Sequence, residues 1–307
     1  MSFKLPHLFY KTLQAPLMST TLGIKAKCPQ SVLDEALALG QQIESQLSVY
    51  KTSSQLSHLN QHAADKAITV DKKLYALLED ALQVSQETAG GFDITIGALT
   101  QQSYKFGHTL PTLPNRNTLK KAVQNVSYKD VILKESTVSF NNTKTSLDLG
   151  GIGKGYAVDE IKRFLQSQGV KSALISLGGE IAAYGGKFRI GIVHPRESRL
   201  YSYFEVSEET YVSTSGDYER YIKDYNHNHI IDPKNGLSSS RYASLTLVSK
   251  SSNATFLDAY NTAMFLMDEA ALEKFAQEKG LAYLRLDKNL NEVQKGVEEL
   301  TTKYVKL

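Results

Sequence analysis

Apolar residues along this chain recur at two periods, and the switches between them outline its elements. Residues 15–27 (APLMSTTLGIKAK) alternate as a half-buried strand does. From Ser31, read as a cap, Leu33, Ala36, Leu39, Ile43 and Leu47 return on one face of a helix. A polar stretch, SVYKTSSQLSHLNQHA, leads to Val70. Asp71 then stands as the N-cap of a second helix that buries Leu74, Leu77, Leu78, Ala81 and Val84 and runs out at Thr88–Gly91. Residues 107–120 are turn-rich and end in a helix start, and strands are expected at Asp130–Leu133 and Thr137–Phe140.

A strand-like run, Thr145–Leu149, enters a loop carrying Gly150, Gly151, Gly153 and Gly155, and a helical pattern follows through Ala157, Ile161, Phe164 and Leu165. The segments ALISLGGEIAAYGG and FRIGIVHP read as buried strands punctuated by glycine, and ASLTLVS is the clearest strand of a strand-and-turn region over 200–250. Ser251–Asn253 opens a helix (TFLDAYNTAMFLM), and Ala271–Glu278 predicts another. Strands and helices intermingle without a regular βαβ repeat, which predicts an α+β fold and not a doubly wound parallel one. No linker marks a boundary, so residues 1–307 are read as one domain, with two subdomains left open.

Composition narrows the function by exclusion. The formal charge of +3 is too small, and the basic residues too scattered, to argue for nucleic acid. The single cysteine, Cys28, rules out an internal disulfide and a cysteine metal cluster, and is read as structural. The histidines show no zinc-ligand spacing, and no apolar run reaches the roughly 20 residues of a membrane span. The first residues (MSFKLPHLFYKTLQ) contain no apolar leader core and no lipid-anchor cysteine. The sequence as it stands therefore predicts a cytoplasmic location, with an extracytoplasmic one as the alternative if a leader was removed.

The candidate chemistry starts in the glycine loop, LDLGGIGKGYAVD over Leu147–Asp159. Glycines let a backbone approach a ligand, a helix start offers free N–H groups, and Lys154 adds a cation, so the segment describes a phosphate cradle. It is not a P-loop, because Gly155 and not Ser or Thr follows the lysine, and its glycine spacing is not the dinucleotide fingerprint. A glycine-rich turn with a solvated lysine is the competing reading. Asp148 is expected to anchor the loop through backbone N–H groups, and Asp159 to sit favourably in the first turn of its own helix. Asp93 and Thr95, a polar pair in an apolar run, suggest ligand contact or, alternatively, an Asx-type turn.

Four further segments accompany the loop in a fixed order: TAGGFDITIG (Thr88–Gly97), ALISLGGE (Ala173–Glu180), STSGDYERYIKDYNHNHIIDPKNG (Ser213–Gly236) and DAYNTA (Asp258–Ala263). With them the chain resembles the ApbE family, the FAD:protein FMN transferases, from about Met18 to about Met267. The resemblance implies mixed or antiparallel sheets with packed helices in a T-fold-like architecture. It also implies Mg²⁺-dependent transfer of the FMN half of FAD to a threonine hydroxyl of an acceptor protein, with release of AMP. Carried over residue by residue, Met18, Tyr50, Gly91, Phe92, Asp93, Gly150, Lys154, Tyr156, Ser215, Asp217, His229 and Asp232 would surround FAD. The carbonyl of Gly153 would join Asp258 and Thr262 around the metal, and His229 and Asp258 would stand near the chemistry. The chain departs from the family pattern at Met18-Ser19-Thr20, at Gly153 and at Asp268.

That chemistry suits those residue types. Phosphoryl transfer depends mainly on positioning and on neutralising charge, and Mg²⁺ prefers hard oxygen ligands supplemented by phosphate and water. Asp258 and Thr262 lie four apart, hence on one helix face. A helical threonine bonded to its own backbone beside a capped aspartate is the competing reading. His229, Asp217 and Asp258 are all open as proton acceptors, and a loop histidine that only orients the chain is the alternative for His229. An FAD pyrophosphatase and a flavin storage protein remain as alternative functions.

Overall fold

The computed structural model describes residues 9–107 and 110–307. Its frame is an eight-stranded sheet. Across the sheet the order is Lys11–Leu17, Thr20–Ala26, Ala173–Leu177, Glu180–Tyr184, Thr210–Gly216, Tyr242–Ser249, Ala282–Asp287 and Glu292–Lys295. Every pairing in it is antiparallel. The α+β expectation is met. The alternating stretch read over 15–27 is two strands of a hairpin, reversed at Met18 and Ser19, which both take positive φ. A two-residue hairpin turn needs such φ values at both central positions.

The sheet is covered on both sides, which is why all eight residues of Tyr242–Ser249 are buried. On one face Leu245, Leu247 and Tyr283 join the main core, packed beneath the helices Gln30–Leu47, Gly153–Ser167 and Ala254–Met264. On the other, Val212, Val248, Leu284 and Leu286 meet Phe188, Ile190 and Phe204 from a three-stranded antiparallel sheet (Phe188–Val193, Leu200–Val206 and Lys303–Lys306). Alternate residues of one strand thus serve two cores.

The helix limits follow local chemistry. Asp71 caps Lys72–Glu87 through the N–H groups of Lys73 and Leu74, as its position predicts. Asn253 caps Ala254–Met264 and Asp268 caps Glu269–Lys279, each through a side-chain oxygen. Asp268, a departure from the family pattern, is therefore a helix cap. Ser31 is not one: the first long helix begins at Gln30 after Pro29, with no side-chain cap. The polar stretch before Val70 contains an unanticipated helix, Gln55–His62, capped by Ser54. In the turn-rich stretch Asn115 caps Arg116–Val123, whereas His108 and Thr109 lie outside the described residues.

The run Thr145–Leu149 is extended but is not a ladder strand. Ser146 makes one isolated parallel bridge to Ile96, Asp148 N–H donates to the Ile94 carbonyl, and Asn60 bonds both backbone groups of Leu147. The helix that follows starts inside the glycine loop, at Gly153, so Lys154 and Gly155 belong to its first turn.

Two contacts weld that helix to Ala254–Met264. A Cβ on Gly155 would lie 2.1 Å from the Ala254 carbonyl oxygen, so only glycine lets the backbones meet there. One turn on, the Asp159 carboxylate accepts from Ala254 N–H (3.2 Å), Thr255 N–H (2.8 Å) and Thr255 Oγ1 (2.5 Å). Asp159 thus serves the N-terminus of the neighbouring helix, not that of its own. Asp159→Ala, which strands those donors in the core, is expected to lower the unfolding free energy by about 2–4 kcal/mol, read from the urea midpoint. Gly155→Ala is expected to cost at least about 1–3 kcal/mol by overpacking; a wild-type melting curve for that variant would refute the close crossing.

Candidate functional site

A cavity of about 330 Å³ opens where the glycine loop, the hairpin turn at Met18, and the ends of strands Glu180–Tyr184 and Thr210–Gly216 come together. Met18, Tyr50, Gly91, Phe92, Asp93, Gly150, Gly153, Lys154, Ser215, His229, Asp258 and Thr262 all line it. Residues more than two hundred positions apart in the chain therefore share one wall.

The acidic end of the cavity is built by the helix crossing. The Asp258 carboxylate is nearly fully buried; its Oδ2 accepts from Gly155 N–H at 3.0 Å, and Lys154 Nζ lies 3.0 and 3.2 Å from its two oxygens. Lys154 also sits 3.6 Å from Oε1 of Glu180, a second buried carboxylate whose Oε2 has no hydrogen-bond partner among the described residues. Burial and the Asp258 charge push the Glu180 pKa well up. Burial opposes the Lys154 charge, but Asp258 and Glu180 outweigh it and hold the ammonium above the ordinary lysine value. One turn beyond Asp258, Thr262 Oγ1 donates to the Asp258 carbonyl at 3.1 Å, as the competing reading had it, and keeps its lone pairs. A Cβ on Gly151 would lie 2.9 Å from that hydroxyl, so the glycine loop passes directly against it.

These groups fit a hard divalent cation. Two buried carboxylates share one ammonium, one carboxylate oxygen is unpartnered, and a threonine hydroxyl stands on the same helix face. Gly153 heads its helix, and its carbonyl has two lone pairs. Among the described residues no group of three or more His, Cys, Asp or Glu side chains is arranged for a metal. A carboxylate, a hydroxyl and a carbonyl are hard oxygen donors, the class that Mg²⁺ accepts alongside phosphate and water.

His229 occupies the opposite chemical role. Its backbone N–H and its Nδ1 both face the Arg220 carbonyl, at 3.0 and 3.2 Å. A carbonyl only accepts, so Nδ1 carries the proton and Nε2 keeps its lone pair. Burial, with the Arg220 and Lys154 charges, lowers the imidazole pKa to about 4. The ring is neutral at physiological pH and able to accept a proton.

Several expected residues play other parts. The Asp93 carboxylate accepts from Thr95 N–H, Thr95 Oγ1 and Tyr128 N–H, an Asx-type turn that shapes the wall and leaves little for a ligand. Asp148 anchors the loop as anticipated, through Gly150 N–H at 2.9 Å and Thr100 Oγ1 at 2.5 Å. Tyr156 is buried in the main core and does not line the cavity. Asp217 does not line it either: fully buried, it is gripped by both Arg196 nitrogens at 2.7 and 2.8 Å and by Lys288 at 2.6 Å. Its charge is spent on fixing the start of the segment that carries Arg220 and His229. Asp232 also stays outside, bonding Lys234 N–H and the Asn235 amide, while the adjacent Pro233 reaches the wall. Cys28 is buried, consistent with a structural role.

Sequence reasoning missed Glu180 and Arg220, both on the wall. A charged residue opening the otherwise apolar strand EIAAY was the available signal for Glu180. Nothing in the local pattern singles out Arg220, an exposed cation in a polar hairpin.

Known proteins of similar sequence and fold identify the family. The ApbE family model matches residues 18–284. The FAD:protein FMN transferase of Treponema pallidum is 31% identical over 261 residues, covering 77% of this chain and 71% of its own. That of Vibrio cholerae is 29% identical over 281 residues, with 84% and 81% covered. The crystal structure of the ApbE protein from Thermotoga maritima superposes with a TM-score of 0.87 at 25% identity, over 96% of this chain and 99% of that one. With the family model matched over most of its length and a relative at 31% identity, the chain belongs to the ApbE family.

Proposed function

We propose that this protein transfers the FMN half of FAD to a threonine hydroxyl of an acceptor protein, releasing AMP, with Mg²⁺ held by Asp258, Thr262 and the Gly153 carbonyl. The observation that carries the reading is the pairing, in one cavity, of a buried acidic oxygen site with a neutral histidine. The names of the relatives, FAD:protein FMN transferase, support the reaction class.

In this reaction the threonine oxygen forms a bond to the FMN phosphorus while the bond from that phosphorus to the bridging oxygen breaks. The bridging oxygen leaves with AMP, and the hydroxyl proton passes to His229 Nε2. The Arg220 carbonyl holds the imidazole in the tautomer that can take it. The glycine loop lines the cavity, with its N–H groups at Gly150, Ile152, Gly153 and Gly155 bonded within the protein, and Lys154 adds a mobile positive charge. When bound, Mg²⁺ supplies neutralisation of the charge spread over the transferring phosphoryl group. Asp258 is already committed to cations and to Gly155 N–H, which leaves His229 as the better placed proton acceptor.

Incubation with FAD, Mg²⁺ and a threonine-bearing acceptor is expected to add one FMN unit to the acceptor, read by intact mass. Free FMN and AMP beside unmodified acceptor would instead establish hydrolysis. Asp258→Ala is expected to abolish turnover while retaining some FAD binding, and full activity in that variant would refute the metal site. His229→Ala should slow transfer by roughly 10²–10⁴-fold. Protonation removes the base, so the acid limb of kcat/KM should fall near pH 4 and not at the ordinary histidine value of about 6.5.

A further inference from the structure

Both oxygens of the Asp258 carboxylate have partners before any metal arrives. Lys154 Nζ straddles both oxygens, and Gly155 N–H occupies Oδ2 from the backbone side. A divalent ion bound to a carboxylate oxygen at roughly 2.0–2.1 Å is repelled by an ammonium spanning both oxygens of that same carboxylate. Of the two donors, Gly155 N–H is fixed by the helix crossing, whereas Lys154 rides a flexible four-carbon stem with its side chain partly open to the cavity. Among the described residues, Lys154 is also the one ion-pair partner of either Asp258 or Glu180. The acidic pocket is thus preassembled without metal because one side chain supplies its missing positive charge.

We propose that Lys154 is a resident placeholder cation: it holds the position beside Asp258 in the nucleotide-free protein, and the incoming divalent ion displaces it into the cavity, where it meets the phosphates. This rests on the metal reading given above. The exchange keeps Asp258 compensated at every stage, since a buried carboxylate left alone is costly. It also couples loading to substrate, because the displaced ammonium needs a new anion and a pyrophosphate provides one. Lys154 therefore weakens metal binding in the empty protein and strengthens it once a nucleotide is present.

The test is calorimetric titration of Mg²⁺ or Mn²⁺ into nucleotide-free wild type, Lys154→Met, Asp258→Asn and the double variant. Removing the placeholder should tighten divalent binding by about tenfold or more, and adding Asp258→Asn should cancel the gain. Unchanged or weaker binding in Lys154→Met overturns the proposal. In that case, loss of binding in Asp258→Asn alone leaves the metal site standing, whereas retained binding there removes the metal site itself. Since Lys154→Met could fail to fold, a second measurement uses the wild-type protein: amine acylation mapped by mass spectrometry. Mg²⁺ should speed modification of Lys154 several-fold relative to the surface lysines; an unchanged or slower rate rejects displacement.

Discussion

The backbone approach at Gly155 is the constraint on which the site depends. Two helices that meet with no side chain between them fix Lys154, Gly155 and Asp258 as one unit, although about a hundred residues separate them in the chain. The contact carries a cost, since glycine near a helix start adds backbone entropy to the unfolded state. Asp159 offsets it by capping the partner helix at the same junction. Beneath both helices lies an eight-stranded sheet covered on its other face as well, so the crossing is braced by a core. Catalytic geometry here comes from helix packing, and the loop contributes only what the packing leaves exposed.

Charge is distributed around that junction with few spare partners. Asp217 is neutralised by Arg196 and Lys288 away from the cavity, and Asp159 and Asp93 are consumed by backbone and hydroxyl donors. Glu180 and Asp258 are the exception, sharing one lysine between two buried carboxylates. That imbalance sets this pair apart from the other acids better than burial does, because all of them are buried.

Much of this was legible in the sequence where local chemistry decides the outcome. Asp71 as a cap, the strand Thr137–Phe140 and the helix beginning after Asn253 follow from side chains acting on their own neighbours. The failures share a cause. Thr145–Leu149 has the composition of a strand but finds its partners in Asn60 and Ile94, which no periodicity reports. The motifs locate Asp217, Tyr156 and Asp232 near the site in sequence, yet a motif records proximity to function and not which way a side chain faces. Asp159 sits in a first turn as a dipole argument requires and still acts on a different helix.

The same cations that favour anion binding also govern the histidine. Burial first, and then the Arg220 and Lys154 charges, disfavour the imidazolium of His229, so in the empty cavity the ring is neutral and weakly basic. For the proposed transfer to a hydroxyl, a weak base is poorly matched, since proton transfer is most efficient when the pKa of the acceptor approaches the working pH. On the proposed reading, a pyrophosphate in the cavity would bring negative charge against those two cations and remove part of the penalty on the imidazolium. Basicity would then rise, on that reading, with the substrate in place, tying proton acceptance to occupancy without any movement of the backbone.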